Sequence, residues 1–98
     1  MNIIKWIEKW YNKNCDDDWE HCYGIKIDTL DNPGWHVSIN LEGTELEEKS
    51  FEKIVIDRTE DDWVYCSVDK NKFDGAGGTF NLEEILTIFK EWVEKENL

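Results

Sequence analysis

Apolar residues recur at three- and four-residue spacings near both ends of the chain. Near the amino end these positions are Ile3, Ile7, Trp10 and Tyr11. This spacing predicts a short amphipathic helix from Ile3 to Tyr11. Near the carboxyl end, Asn81 can cap a second helix, because Glu84 stands three residues later and can reach back to the cap backbone. The apolar face of that helix comprises Leu82, Ile85, Leu86, Phe89, Trp92 and Val93.

Between the two helices, apolar and polar residues alternate with the period of half-buried strands. The first two alternating segments are residues 23–29 and 35–41. They are joined by residues 31–34, Asp-Asn-Pro-Gly, which predict a turn because proline restricts its own φ and glycine accepts a positive φ. Two further segments, residues 51–59 and 63–68, predict a second hairpin. The sequence therefore predicts four antiparallel strands.

Two segments lack either period and are predicted to be loops. Residues 12–20 gather Asp16, Asp17 and Asp18, whose side chains compete for backbone hydrogen bonds. Residues 70–79 are rich in glycine. The element order predicts an α+β fold, with a four-stranded antiparallel sheet flanked by an N-terminal and a C-terminal helix. We expect a single domain over residues 1–98.

Charge narrows the range of partners. Eleven Lys and Arg stand against 23 Asp and Glu, which gives a formal net charge of -12. Such a chain repels phosphate backbones and anionic membranes and attracts cationic partners. The apolar fraction of 40% is enough for a folded core. We therefore expect a folded protein that binds neither nucleic acid nor membrane directly, although acidity also serves solubility.

The cysteines and the start of the chain indicate the compartment. Cys15, Cys22 and Cys66 are odd in number and do not resemble the framework of a secreted disulfide protein. The first residues carry charge, and no apolar run reaches the length of a signal peptide or a membrane span. We expect reduced thiols and a cytoplasmic location.

Metal binding is the first alternative that the residues raise. Zinc could be bound by Cys15, His21, Cys22 and His36, but these residues lack the paired spacing of zinc sites. The carboxylates of residues 16–20 could bind a hard cation, yet they do not match the twelve-residue calcium loop. We expect no metal and no cofactor.

Catalysis and phosphate binding are further alternatives. Residues 75–78 run toward a helix amino end, where amides can bind an anion, but no phosphate-loop spacing occurs. No nucleophile motif is present, so we predict that the chain is not an enzyme. The alternative is a small metal-dependent or thiol enzyme that uses His21, Cys22 and His36. A self-associating structural module is a third hypothesis.

The six tryptophans divide into two groups. Trp6, Trp10, Trp35 and Trp92 fall on predicted apolar faces and are interpreted as core residues. Trp19 and Trp63 stand beside acidic residues at predicted loops or strand edges. An exposed tryptophan can anchor a protein interface, so these two are candidate contact residues.

Two blocks of the sequence are the most specific, Cys15-Asp16-Asp17-Asp18-Trp19-Glu20-His21 and Thr29-Leu30-Asp31-Asn32-Pro33-Gly34-Trp35. They resemble the immunity protein 53 family. The likeness continues in order through Asp61-Asp62-Trp63, Gly75-Ala76-Gly77-Gly78 and Asn81-Leu82-Glu83-Glu84-Ile85-Leu86. One departure is Asp17, where the family pattern has Gly.

This resemblance implies a partner as well as a function. Members of the family act in bacterial polymorphic toxin systems, where a small cytoplasmic protein binds the toxin encoded beside it. We predict that acidic residues meet a cationic cleft on that toxin, with two tryptophans as anchors. If the toxin is a nuclease, the carboxylates would imitate phosphate. The candidate toxin-binding residues are Asp16, Asp17, Asp18, Trp19, Glu20, Asp61, Asp62 and Trp63.

Overall fold

The computed structural model describes residues 2–97 and contains one antiparallel sheet with helices on one side. The helices are α1 (Ile3–Asn14), α2 (Trp19–Cys22) and α3 (Leu82–Glu96). The strands are β1 (Ile25–Leu30), β2 (Gly34–Asn40), β3 (Ile54–Thr59), β4 (Asp62–Asp69) and β5 (Lys72–Gly77). The sheet order is β1-β2-β5-β4-β3. The α+β class, the antiparallel sheet and the terminal helices are confirmed, but the sheet has five strands and not four.

The additional strand lies where the sequence predicted a loop over residues 70–79. That prediction is wrong because β5 pairs with β2 on one side and with β4 on the other. Lys70 and Asn71 form the two-residue turn into β5 with φ values of 52° and 58°. Positive φ at both central positions is typical of a type I′ hairpin turn, which usually carries Asn-Gly. Because residues 70 and 71 are Lys-Asn and not Asn-Gly, the sequence pattern did not predict this hairpin.

Glycine occurs in β5 because α3 lies very close to it. A Cβ atom at Gly75 would stand 2.5 Å from Cγ2 of Ile85. Ile85 is fully buried, so the helix cannot move aside without losing core contacts. Glycine inside a strand often marks such a close approach of another element. Gly75 and Gly77 therefore form a surface on which Ile85 of α3 packs.

The core lies between the sheet and the two long helices. Its largest fully buried side chains are Phe73, Phe89, Ile39, Leu41, Leu46, Ile85 and Leu86. Trp10 of α1 meets Phe89 of α3 edge to face, with ring centroids 5.0 Å apart. Trp10 and Trp92 are buried, while Trp6 and Trp35 pack against the core from its margin. Within residues 2–97, no helix has the length and apolar character needed to cross a bilayer.

The other side of the sheet is the open face. Strand alternation places Trp63 and Tyr65 of β4 on this side, together with His36 of β2. Val55 of the edge strand β3 is 61% exposed there. Polar and aromatic side chains therefore share a surface that the helices do not cover.

The acidic segment is more ordered than predicted. α1 continues to Asn14, and α2 occupies residues that were expected to end a loop. Between the helices, Asp17 has a φ of 72°. This left-handed conformation favours glycine over a residue with a Cβ atom.

Candidate functional site

The candidate toxin-binding residues form two groups at opposite ends of the sheet. Trp19 lies beside Gly43. Two residues before Gly43, the amide of Leu41 donates to the carbonyl of Asn71, which lies in the β4–β5 turn. Trp19 is therefore near the end of the sheet where that turn lies. Asp62 stands at the other end, because it begins β4. The seven steps along that strand correspond to about 23 Å. One compact site cannot include both groups.

Two carboxylates of the group at residues 16–20, those of Asp16 and Glu20, accept hydrogen bonds from backbone amides of the same segment. The Glu20 carboxylate accepts from the amides of Asp16 and Asp17, each at 2.9 Å. Oδ1 of Asp16 accepts from the amides of Asp18 and Trp19. The pKa of the Glu20 carboxyl is lowered chiefly by its own amide, with further contributions from those of Asp16 and Asp17. These hydrogen bonds shape the turn between α1 and α2.

Trp19 is a core residue. Its side chain is 4% exposed and packs against Trp10 and Tyr11 at centroid distances of 6.0 and 5.8 Å. The sequence placed Trp19 at a loop or strand edge, where an exposed ring could anchor an interface, but the buried ring offers no such surface. Asp17 and Asp18 are the exposed acidic residues that remain in this group.

The second group borders two clefts at the end of the sheet where three connections meet. The first cleft, of about 230 Å³, is lined by Asn32, Pro33, Glu60, Asp61, Trp63, Gly78 and Thr79. The second, of about 270 Å³, shares Asn32, Glu60 and Trp63 and adds Asp57, Thr59 and Tyr65. Trp63 thus lies between the clefts. The Trp63 surface is defined here as Asn32, Asp57, Glu60, Asp61, Trp63, Tyr65, Thr79 and Phe80.

Asp62 faces away from this surface although it is adjacent to Trp63 in the sequence. Strand alternation puts Asp62 on the helix side, where Oδ1 accepts from Nη1 of Arg58 at 2.9 Å and from Nδ2 of Asn81 at 2.9 Å. Arg58 also donates twice to Glu84. Asp62 therefore joins the β3–β4 hairpin to the start of α3 and is not free to pair with a partner's cation.

The same network replaces the predicted capping box. Asn81 makes no side-chain cap to the helix amides; instead Nδ2 donates to both Asp62 and Glu84. Because both carboxylates are acceptors, the side-chain amide of Asn81 turns its nitrogen toward them. Its oxygen, Oδ1, is then buried without a hydrogen-bond donor among residues 2–97. Two charge-assisted bonds outweigh one unmet acceptor.

The ion pairs shift the acid–base behaviour of their members. Hydrogen bonds to Glu84 and then Asp62 raise the pKa of Arg58 above its ordinary value. The pKa of Glu84 is lowered, first by Arg58 and less by Asn81. The pKa of Asp62 is lowered by Asn81 and then by Arg58. All three groups are held in their charged forms.

The Trp63 surface carries a strong excess of negative charge. Residues 28–36, 57–65 and 76–84 contain eight acidic residues, one Arg and no Lys. The acidic residues are Asp28, Asp31, Asp57, Glu60, Asp61, Asp62, Glu83 and Glu84. Asp62 and Glu84 share the single cation Arg58, and Asp28 pairs with Lys26 at 3.9 Å, so five of the eight carboxylates have no salt-bridge partner among the described residues and can attract a cationic partner.

Sequence reasoning missed Phe80. This residue is 95% exposed and follows Thr79, which lines the first cleft. The signal was hidden because Phe80 belongs neither to the helical apolar face nor to any strand predicted from the sequence. Phe80 lies in the turn between β5, which ends at Gly77, and α3, which begins at Leu82, and no periodic pattern of the sequence predicts the exposure of a turn residue.

The residues of the enzyme hypothesis do not come together. His21 and Cys22 are exposed on α2, whereas Nε2 of His36 lies 3.1 Å from Oδ1 of Asp74 on the open face. Asn40, which bonds to Gly24 near α2, is four residues along β2 from His36, about 13 Å. Among the described residues, no three His, Cys, Asp or Glu side chains gather to hold a metal ion.

The thiols and the glycine amides give the catalytic and phosphate hypotheses no support either. All three cysteines are free, and burial raises the pKa of the Cys66 thiol to about 12, which makes it a poor nucleophile. The amide of Gly78, considered above for anion binding, donates to the carbonyl of Trp63. Cys66 and the amide of Gly78 are therefore parts of the fold and not of a reactive or anion-binding site.

The architecture and this surface define a class of protein: a two-layer α+β domain whose free sheet face and acidic connections are suited to binding a partner. The chain belongs to the immunity protein 53 family, because the family model described as Immunity protein 53 matches residues 4–94. Membership of an immunity-protein family points to a toxin partner and to a binding function, not to an enzyme. Searches of curated proteins and of solved structures found no match.

Proposed function

We propose that this chain is an immunity protein that binds a cognate bacterial toxin in the cytoplasm and neutralises it by covering a cationic active site. The family match over residues 4–94 carries this proposal. The net charge of -12 supports it, since an acidic surface attracts a cationic cleft and accelerates encounter. If the toxin is a nuclease, the carboxylates occupy the place of substrate phosphates.

The structure supports some of the candidate contact residues better than others. Asp61 and Trp63 lie on the Trp63 surface, and Asp17 and Asp18 are exposed at the opposite end. Asp16 and Glu20 bind backbone amides, Asp62 binds Arg58, and Trp19 is buried. We therefore propose that the toxin contacts exposed residues at one end of the sheet, either Asp61 and Trp63 or Asp17 and Asp18, while Asp16, Glu20, Asp62 and Trp19 maintain the fold.

Co-expression tests the function in cells. The toxin encoded beside this gene is induced in a bacterial host with the chain, or with an empty vector as the control. We expect growth only where the chain is produced. Growth arrest despite soluble, folded chain at levels above the toxin would contradict the proposal.

A titration separates binding from enzymatic inactivation. Increasing amounts of purified chain are added to a fixed amount of purified toxin, and residual toxin activity is measured after short and long incubations. A binding protein gives a break near one equivalent that does not change with time. Complete, progressive inactivation by a small fraction of an equivalent would show catalysis and overturn the occlusion mechanism.

A further inference from the structure

Phe80 is the most exposed of the large hydrophobic residues of the described chain. Its side chain is 95% exposed, whereas the others in the exposed set range from 39% to 61%. Single exposed apolar residues are common on protein surfaces. Phe80 differs in two respects. Hydrogen bonds hold the backbone of the residues beside it, and its ring does not pack on the following helix as an apolar residue at this position often does.

The backbone around Phe80 is held by three hydrogen bonds. The amide of Asn81 donates to the carbonyl of Gly78 at 3.1 Å, which closes a turn with Thr79 and Phe80 at its centre. The amide of Gly78 donates to Trp63, and Nε1 of Trp35 donates to the carbonyl of Thr79 at 3.0 Å. Asn81 itself is 5% exposed. The ring is thus presented on a rigid turn.

An apolar residue at this position usually packs on its own helix. Phe80 directly precedes Asn81, the N-cap of α3, and such a residue commonly packs on the fourth helical residue, here Ile85. Ile85 is fully buried against Gly75 instead, and Phe80 remains in solvent. The fold therefore makes no use of this ring.

We infer that Phe80 is the anchor of the toxin contact, and that it enters an apolar pocket of the toxin that is surrounded by Lys and Arg side chains. This inference rests on the proposed function and adds the surface and the partner's chemistry to it. The backbone beside Phe80 is already ordered, so binding has to fix only the two side-chain torsions of the ring, and aromatic anchors carry a large share of interface energy.

Charge complementarity determines the choice of partner. Asp61 and Glu60 border the first cleft, and Trp63 lies between the two clefts beside them. Five carboxylates of the surrounding segments have no salt-bridge partner among the described residues. A second copy of this chain would bring the same negative charges together, which is unfavourable. A toxin surface that has an apolar pocket surrounded by Lys and Arg side chains complements both the ring and its acidic surroundings.

The test compares Phe80→Ala with Ile4→Ala for binding to the purified toxin domain encoded beside this gene. Ile4 is the matched control because its apolar side chain is 50% exposed on α1 and lines neither cleft. We expect Phe80→Ala to weaken binding by about 30-fold or more, as for interface hot spots. Ile4→Ala should stay within about twofold, and neither should change thermal unfolding appreciably.

A second variant, Trp63→Ala, addresses the same surface and should also weaken binding. Wild-type binding by folded Phe80→Ala would overturn the inference but leave the proposed function intact, and a loss of binding in Trp63→Ala alone would then move the anchor to Trp63. No binding and no protection by the wild-type chain would instead count against the proposed function. Light scattering that showed a dimer lost only in Phe80→Ala would assign the ring to a second copy and overturn the inference.

Discussion

Arg58 and Glu84 are joined by two hydrogen bonds, from Nη1 to Oε1 at 3.0 Å and from Nη2 to Oε2. They connect the end of β3 to the first turn of α3 across 26 residues of sequence. A bidentate arginine–carboxylate pair fixes orientation as well as distance. It therefore positions the β3–β4 connection, and with it Asp61 and Trp63, relative to the turn that carries Phe80.

This network predicts a specific acid sensitivity. The pKa of Glu84 is lowered, chiefly by Arg58, so the charged carboxylate stabilises the folded state above its ordinary value of 4.5. That contribution is lost as the pH falls through the lower folded pKa. Asp62, with an ordinary value of 3.8, behaves in the same way. We expect stability to fall below about pH 4.5, and to fall less in Glu84→Gln.

Urea unfolding followed by tryptophan fluorescence at a series of pH values checks this prediction. Glu83→Gln is the matched control, because it removes an exposed carboxylate from the same helical turn. Its pH dependence should follow the wild type. Equal acid slopes for wild type and Glu84→Gln would contradict the role assigned to the Arg58–Glu84 pair.

Replacing Asp17 with glycine should stabilise the protein. The φ of 72° is unfavourable for a residue with a Cβ atom, and glycine relieves that strain. After the larger unfolded-state entropy of glycine is subtracted, we expect a gain of about 0.5–1 kcal/mol in the free energy of unfolding. Asp18→Gly removes the same charge at a φ of -136° and should give no gain. Equal effects of the two changes would rule out the backbone explanation.

Adding one methyl group at Gly75 should be costly. The new Cβ would stand 2.5 Å from Cγ2 of Ile85, and we expect Gly75→Ala to lower the free energy of unfolding by about 1–3 kcal/mol through overpacking. Gly24→Ala is the control, because nothing lies within 4 Å of the position that its Cβ atom would take. Chemical denaturation of both variants gives the comparison. A neutral Gly75→Ala would mean that α3 can shift away from β5.

The two candidate anchor tryptophans should behave differently. Trp19 is 4% exposed, and Trp19→Ala should reduce the free energy of unfolding by about 3–5 kcal/mol. Trp63 is only partly buried and lies between open clefts, so Trp63→Ala should cost less stability while weakening toxin binding. Equal destabilisation by the two substitutions, measured by urea unfolding, would place Trp63 in the core as well.

Charge removal at the two ends of the sheet should separate their roles in association. Under the proposed function, the double variant Glu60→Gln with Asp61→Asn should slow toxin association several-fold and reduce its salt dependence. Asp17→Asn with Asp18→Asn removes the same number of charges at the other end and should have a smaller effect. Stopped-flow measurements at two salt concentrations distinguish them. A larger effect at residues 17 and 18 would move the contact to that end.

The elements that were predictable depend on local pattern. The apolar spacing of α1 and α3 and the turn signal before Gly34 lie within short windows, and the structure has these helices and this hairpin. β5 was not predictable in the same way. Its glycine at residue 75 is required by a contact with Ile85, ten residues later, and no local period records such a contact.

The candidate site shows the same difference between what a local pattern predicts and what a tertiary contact decides. The sequence by itself determined the acidic charge, the tryptophans and the family blocks, because these are properties of the residues and their order. Only the tertiary structure decided that Trp19 is buried, that Asp62 pairs with Arg58, and that Phe80 stays in solvent. Burial and ion pairing depend on which distant segments meet. Adjacent residues such as Asp62 and Trp63 point to opposite faces of β4 and so meet different neighbours.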